Sequence, residues 1–184
     1  MAPFLSMAQR VGVPPGAPSY DDLYRAHSAR VLRLCRLLLG DPDEAEDTGQ
    51  EIFVKLFRAA ERPHDADMDW GPWLTRVAVH ACHDRRRSRW WRRWWTVADV
   101  LDEDSIASPW RTPEGEVLGA DQQRRIWRAF QCLAPRQREV FVLRHVEGWS
   151  TREVADALGL ETGSVKRHLF RAVRHLRAAL QEAS

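Results

Sequence analysis

Apolar residues return every three or four positions through most of this chain, and no long stretch alternates at a period of two, which predicts helices and no sheet. The pattern is sharpest from Ser150 to Leu176, STREVADALGLETGSVKRHLFRAVRHL. Ser150 followed by Glu153 has the spacing of a capping box, in which each side chain satisfies a free backbone donor of the other. Val154, Ala155 and Leu158 make one apolar face, and Gly159 allows the left-handed residue that ends a helix. Thr162 is placed to cap a second helix with Val165, Leu169, Val173 and Leu176 on its apolar side and Lys166, Arg167, Arg171, Arg174 and Arg177 around it. A short helix, a glycine turn and a basic second helix form a helix-turn-helix, whose second helix fits the DNA major groove. A solvated charged helix in an ordinary helical hairpin is the plainer reading.

The same pattern places further helices upstream. Ser19 is a plausible cap for a helix carrying Leu23, Val31, Leu34 and Leu38 and ending at Gly40. Asp41 caps the next, with Pro42 at its first position and Ile52, Phe53, Leu56 and Phe57 apolar. Gly49 in its middle costs about 1 kcal/mol relative to Ala, which suggests a close neighbour. After the polar segment RPHDADMDWG, Pro72 should open a third helix with Leu74, Val77, Ala78 and Ala81 as its packing stripe. Ile126, Trp127, Phe130 and Leu133 mark a fourth helix, and Pro135 starts a fifth through Val140, Phe141 and Leu143 to Gly148. A short helix within Val97–Leu101 is a further option.

Charge changes this picture. The 184 residues carry a net charge of only +2, but the signs are segregated. Arg76 to Arg93 hold seven Arg against Asp84, whereas Thr96 to Asp121 hold seven acidic residues against Arg111. With Pro109 and Pro113, the acidic stretch reads as a linker. The expected organisation is all-α: a lead-in over residues 1–18, a helical domain over 19–95, the acidic linker over 96–118, and a helix-turn-helix domain over 119–184. Of 28 basic residues only Lys55 and Lys166 are Lys; Arg suits bidentate contact with phosphate and guanine, although GC-rich coding produces the same bias. Two basic surfaces on either side of an acidic linker favour a nucleic-acid partner.

Candidate chemistry narrows it further. Cys35, Cys82 and Cys132 are odd in number and widely spaced, with neither a disulfide framework nor a CxxC zinc pattern, which fits a reducing cytoplasm. There is no Gly-rich phosphate loop, no GxSxG and no HExxH. His80, Cys82 and His83 are the one metal-like cluster, but Cys82 leaves the shared helix face, so no metal, cofactor or small-molecule substrate is expected. The run RWWRRWW, with Trp90, Trp91, Trp94 and Trp95, could contact a membrane surface, a partner or DNA; packing on a partner or the linker is preferred.

The chain resembles the extracytoplasmic-function sigma factors of bacterial RNA polymerase across nearly all of Ser19–Ala179. The resemblance is carried by AEDTGQEIFVKLFRA and WLTRVAVHACHDRRR, then by LAPRQREVFVLRHVEGWSTREVADALGLETGSVKRHLFRAVRHLR. It implies a non-catalytic, cytoplasmic subunit that binds core polymerase, selects promoters and helps melt them. Asp47, Gln50, Glu51 and Phe53 would dock on the β′ clamp, and the second domain would contact the β flap. Arg62, His64, Trp70, Arg76, His80, Arg85 and Arg86 would handle the −10 element; Arg144, Thr151, Ser164, Lys166, Arg167, Phe170 and Arg171 would bind the −35 duplex. An anti-sigma factor is the implied inhibitor. The chain departs from the family where His80 replaces a frequent Asn, where Arg167 and His168 replace Ser and Arg, and in the four-Trp run. The rivals are a stand-alone helix-turn-helix transcription regulator, which would bind duplex DNA without polymerase, and a nucleic-acid enzyme using His80, His83 and Asp84.

Overall fold

Capping chemistry sets the ends of the first helices. In the computed structural model, which describes residues 17–62, 68–95 and 120–181, α1 runs Tyr20–Leu39. The Ser19 hydroxyl accepts from the Asp22 amide and the Asp22 carboxylate accepts from the Ser19 amide, a complete capping box. Gly40 ends the helix at φ 80°, and the Gln131 side chain presses against it where a Cβ would stand. α2 (Pro42–Ala60) starts as expected: Asp41 Oδ1 accepts from the amides of Asp43 and Glu44, both at 3.0 Å.

α3 spans Trp70–Trp95, beginning two residues before Pro72. Asp69 Oδ1 accepts from the Gly71 amide at 3.1 Å and supplies the cap. A proline within the first turn sacrifices no intrahelical bond, so Pro72 is carried inside the helix rather than opening it. The helix backbone continues through the four-Trp run. Leu34, Leu38, Ile52, Leu56, Leu74 and Ala78 interlock where α1, α2 and α3 meet. Phe57, expected among the apolar positions of α2, is only partly covered, at 45% exposure.

The second group comprises α4 (Ala120–Gln131), α5 (Pro135–Phe141), a π-helical turn (Val142–Val146), α6 (Thr151–Leu158) and α7 (Thr162–Gln181). Trp127 stacks on Phe130 with centroids 5.6 Å apart, and Val140, Leu143, Val154, Val165 and Ala172 complete the packing. The helix from Pro135 does not reach Gly148 as a plain α-helix. Glu147 N–H bonds to Val142 O and Trp149 N–H to Leu143 O, so the ladder widens before Gly148 turns at φ 74°. Ser150 and Glu153 form the expected capping box, and Gly159 closes α6 at φ 62°. Among the described residues there is no strand. The Val97–Leu101 option and nearly all of the lead-in and linker lie outside the described residues.

Gly49 is buried, but a Cβ added there would meet only Leu32 Cδ1, at 3.8 Å, an ordinary contact. No close approach therefore requires glycine. Gly49→Ala should raise stability by about 1 kcal/mol through helix propensity alone; an unchanged or lowered thermal midpoint would refute this reading.

Candidate protein and nucleic-acid interfaces

α2 carries two candidate docking surfaces. Gln50 and Phe53 face an open groove of about 340 Å³ lined also by Tyr20, Tyr24, Val54 and Phe57. The Phe53 ring meets Tyr24 edge-on at 4.7 Å, and Phe57 meets Tyr20 at 5.4 Å, so α1 and α2 together hold an aromatic floor. Tyr24, Val54 and Phe57 are each more than two-fifths exposed, an apolar patch that a folded domain ordinarily covers or uses. Asp47 and Glu51 lie on the side of α2 that meets α3: Arg85 Nη2 is 2.9 Å from Asp47 Oδ2 and its Nη1 is 3.4 Å from Glu51 Oε1. The residues singled out by sequence thus divide between the groove and this ion pair. The sequence reading missed Tyr20 and Tyr24; the signal was an aromatic pair at i and i+4 in the largely polar first turns of α1.

Two arginines of α3, Arg76 and Arg86, reach the second helical group. Arg86 donates to Leu38 O at 3.0 Å and pairs with Glu139. Glu139 is fully buried and also accepts from Arg136 at 2.8 Å. Arg138 donates to the same Leu38 carbonyl at 3.2 Å. Burial, and then the neighbouring Arg86, pull the Arg138 pKa down to about 10. A second junction lies at Glu147, whose Oε2 takes Arg30 of α1 at 2.6 Å and the Thr75 hydroxyl of α3 at 3.0 Å. The Arg76 guanidinium lies 5.6 Å from the Trp149 ring centre, a cation–π contact across the same junction. Neither Glu139 nor Glu147 was singled out from sequence; the only signal was a lone acid in each of two apolar, basic segments.

Other upstream candidates are scattered. Arg62 closes the described part of the first loop, and His64 lies outside the described residues. Trp70 is buried against Trp73, their rings edge-on at 5.6 Å, so it serves the core. His80 is exposed, and His83 Nδ1 sits 3.7 Å from Asp84 Oδ1. Among the described residues, no three His, Cys, Asp or Glu side chains converge as a metal site.

The helix-turn-helix leaves one basic face of α7 in solvent. Lys166, Arg167, Phe170 and Arg171 are all exposed on α7, with Phe170 at 66%, while Val165 and Ala172 anchor the opposite side. Thr151 opens α6, and Ser164 is half-buried in the first turn of α7. Arg144, in the π turn, donates to the Trp149 carbonyl and so fixes the loop that leads into α6. His168 is partly buried; burial first, then Arg171, Arg136 and Arg167, lower its pKa and favour the neutral ring.

Residues 23–92 match the family model for Sigma-70 region 2, and residues 123–176 match that for Sigma-70, region 4. The chain is 34% identical over 160 residues to the ECF RNA polymerase sigma factor SigL of Mycobacterium tuberculosis, covering 87% of this chain and 88% of SigL. It is 33% identical over 175 residues to the ECF RNA polymerase sigma factor SigE of Mycolicibacterium smegmatis, covering 91% of this chain but only 63% of SigE. In solved structures, the fold is similar to the co-crystal structure of the sigma factor RpoE with the anti-sigma factor NepR from Bartonella quintana, at TM-score 0.67 and 21% identity, over 84% of this chain and 92% of that one. CnrH in complex with the cytosolic domain of CnrY gives TM-score 0.58 at 21% identity, over 90% and 89% of the two chains.

Two measurements probe this geometry. Arg86→Ala leaves buried Glu139 with a single arginine and should cost about 3 kcal/mol in stability, with faster amide exchange around Glu139; a loss below 1 kcal/mol, the scale of an exposed pair, would contradict the pairing. For His168, the unfolded chain takes up a proton near pH 6.5 while the folded chain resists it. Its contribution to stability is therefore present above that pH and lost on acidification. His168→Asn should flatten the fall of the melting temperature between about pH 7 and pH 5, and an unaltered slope would remove His168 as a contributor.

Proposed function

The chain belongs to the extracytoplasmic-function sigma factors, and from that membership we infer that it binds core RNA polymerase, confers promoter specificity and assists promoter melting at initiation. The observation that carries this reading is the succession of region 2 and region 4 on two helical groups in one chain. Sigma factors are non-enzymatic initiation factors; the bond-making chemistry is the polymerase's. The stand-alone regulator is disfavoured, because region 2 has no part in a protein that binds only duplex DNA. No described helix is long and apolar enough to cross a membrane, in keeping with a cytoplasmic site of action.

The domain and residue assignments belong to the same proposal. The helical domain over 19–95 docks through α2: the aromatic groove at Gln50 and Phe53 supplies apolar area, and Asp47 and Glu51 supply charge for a basic partner on the β′ clamp. Arg62, His64, Trp70, Arg76, His80, Arg85 and Arg86 serve the −10 element, Trp70 by holding the start of α3 rather than by stacking on a base. For Arg86 to reach a phosphate it must leave Glu139, so promoter binding and opening of the junction are coupled. The domain over 119–184 binds the −35 duplex, with Lys166, Arg167, Phe170 and Arg171 in the major groove and Arg144, Thr151 and Ser164 shaping or flanking that surface. It also meets the β flap. The two structural relatives were solved with the anti-sigma factor NepR and with CnrY, which supports an anti-sigma partner for this chain.

In-vitro transcription with core polymerase tests the function: promoter-specific starts should appear only when this protein is added, and unchanged start sites would refute it. Arg171→Ala should reduce −35-dependent initiation about tenfold or more, as expected for loss of one base or phosphate contact, while core binding persists. Asp47→Arg should weaken core binding instead, because it reverses a docking charge and also repels Arg85; unchanged core affinity would displace the docking face from α2.

A further inference from the structure

An apolar groove stands uncovered where α1 and α2 meet. Among the described residues, Tyr24, Val54 and Phe57 are three of the four large apolar side chains that stand most exposed, and all three line it. Its floor has a direction: Tyr20 of α1 meets Phe57 of α2 at 5.4 Å and Tyr24 meets Phe53 at 4.7 Å, so the groove runs from the first turn of α1 towards Gln50. From Gln50 to Phe57 the helix rises about 10 Å. The chain enters at the Tyr20 end, since the described residues begin at Ala17 and residues 1–16 precede them. Those residues, MAPFLSMAQRVGVPPG, carry a single charged side chain, Arg10, so laying them on the groove desolvates little charge. Phe4, Met7, Ala8 and Val11 recur at i, i+3, i+4 and i+7, the anchor spacing of an amphipathic segment laid in a groove. At helical rise, Phe4 to Val11 also covers about 10 Å. Pro15 followed by Gly16 is the signature of a type II turn, which reverses the chain. The connection from Val11 to Ala17 reaches at most about 20 Å, twice the length of the groove.

We propose that the chain's own residues 4–11 cover this groove as an intramolecular ligand, with Phe4 seated against the aromatic floor. Tethering decides the energetics. A short linker holds the segment at an effective concentration of about 1 mM, so an intrinsic affinity of only about 1 mM keeps the groove half filled. Affinity that weak does not retain a separate peptide, or a second copy of the chain, at micromolar concentration. The same groove serves the polymerase contact of α2 in the function proposed above; on that reading the segment is a competitor that polymerase displaces, whereas the coverage itself does not depend on it.

The test attaches a nitroxide to the full-length Cys132→Ser protein through Ser6→Cys, a position off the Phe4, Met7 and Val11 face; Cys35 and Cys82 are buried and stay unlabelled. In nuclear magnetic resonance spectra the Val54 methyls and the Tyr20 and Tyr24 amides should broaden, while the amides of Lys166–Arg171 on α7 stay sharp. Phe4→Asp in the labelled protein should abolish the broadening, and Val54→Asp should abolish it at Tyr20 and Tyr24. Uniform broadening, or none, overturns the proposal. So does broadening of an isotope-enriched, unlabelled chain by a spin-labelled second copy, because the occupant is then another molecule. Phe4→Asp should also tighten binding to core polymerase about two- to tenfold, by freeing the fraction of grooves the segment fills. If Phe4→Asp abolishes the broadening but leaves core affinity unchanged, the segment covers the groove as proposed and it is the polymerase contact that lies elsewhere.

Discussion

A carboxylate with no access to water organises the meeting of the two helical groups. Removing Glu139 from solvent costs several kcal/mol, and only close, well-directed cations offset it. Arg136 comes from its own helix, whereas Arg86 comes from α3 of the other group, so the charge is fully compensated only when the groups are together. Glu147 repeats the arrangement with Arg30 and Thr75. Both acids belong to the second group, and both are received by the seam between α1 and α3. Because ion pairs are directional where apolar contacts are not, two such insertions set one mutual orientation rather than a family of sliding ones.

The residues that make this junction are also residues a nucleic acid would attract. Arg86 and Arg76 spend their charge on Glu139 and on the Trp149 ring, and Arg85 spends its charge on Asp47 and Glu51. Phosphates and these carboxylates are competing anions for the same guanidinium groups. The basic face of α7 is different in kind: its cations stand in solvent, ready for a polyanion without any internal exchange. The cations of α7 thus stand free of internal anions, whereas Arg85 and Arg86 of α3 are already paired.

The legible parts were those governed by local rules. Ser19, Asp41, Ser150 and Gly159 announced their helix ends because capping needs particular atoms at fixed offsets. The exposed quartet on α7 followed from helical period and charge. Pro72 misled because proline is accepted anywhere in a first turn, and the cap at Asp69 decided the start. Gly49 suggested a close approach that the packing does not contain. Glu139 and Glu147 were illegible for a deeper reason: partners from 53 and 117 positions away become neighbours only after the groups have packed. Trp70, Phe53 and Phe57 show the matching ambiguity, since an aromatic on a helix reads alike whether it faces core or solvent.

The widened turn at Val142–Val146 has a consequence for the length of the chain. Such a turn accommodates one residue more than an α-helix covering the same rise. A single deletion within it would let the ladder close as ordinary α-helix, at little local cost. Everything downstream would then be rotated by about 100° around the helix axis, the advance of one residue. Arg144 could no longer meet the Trp149 carbonyl, and Trp149 would leave Arg76. The spare residue therefore works as a mechanical spacer, setting the angle at which the helix-turn-helix leaves the body of the protein.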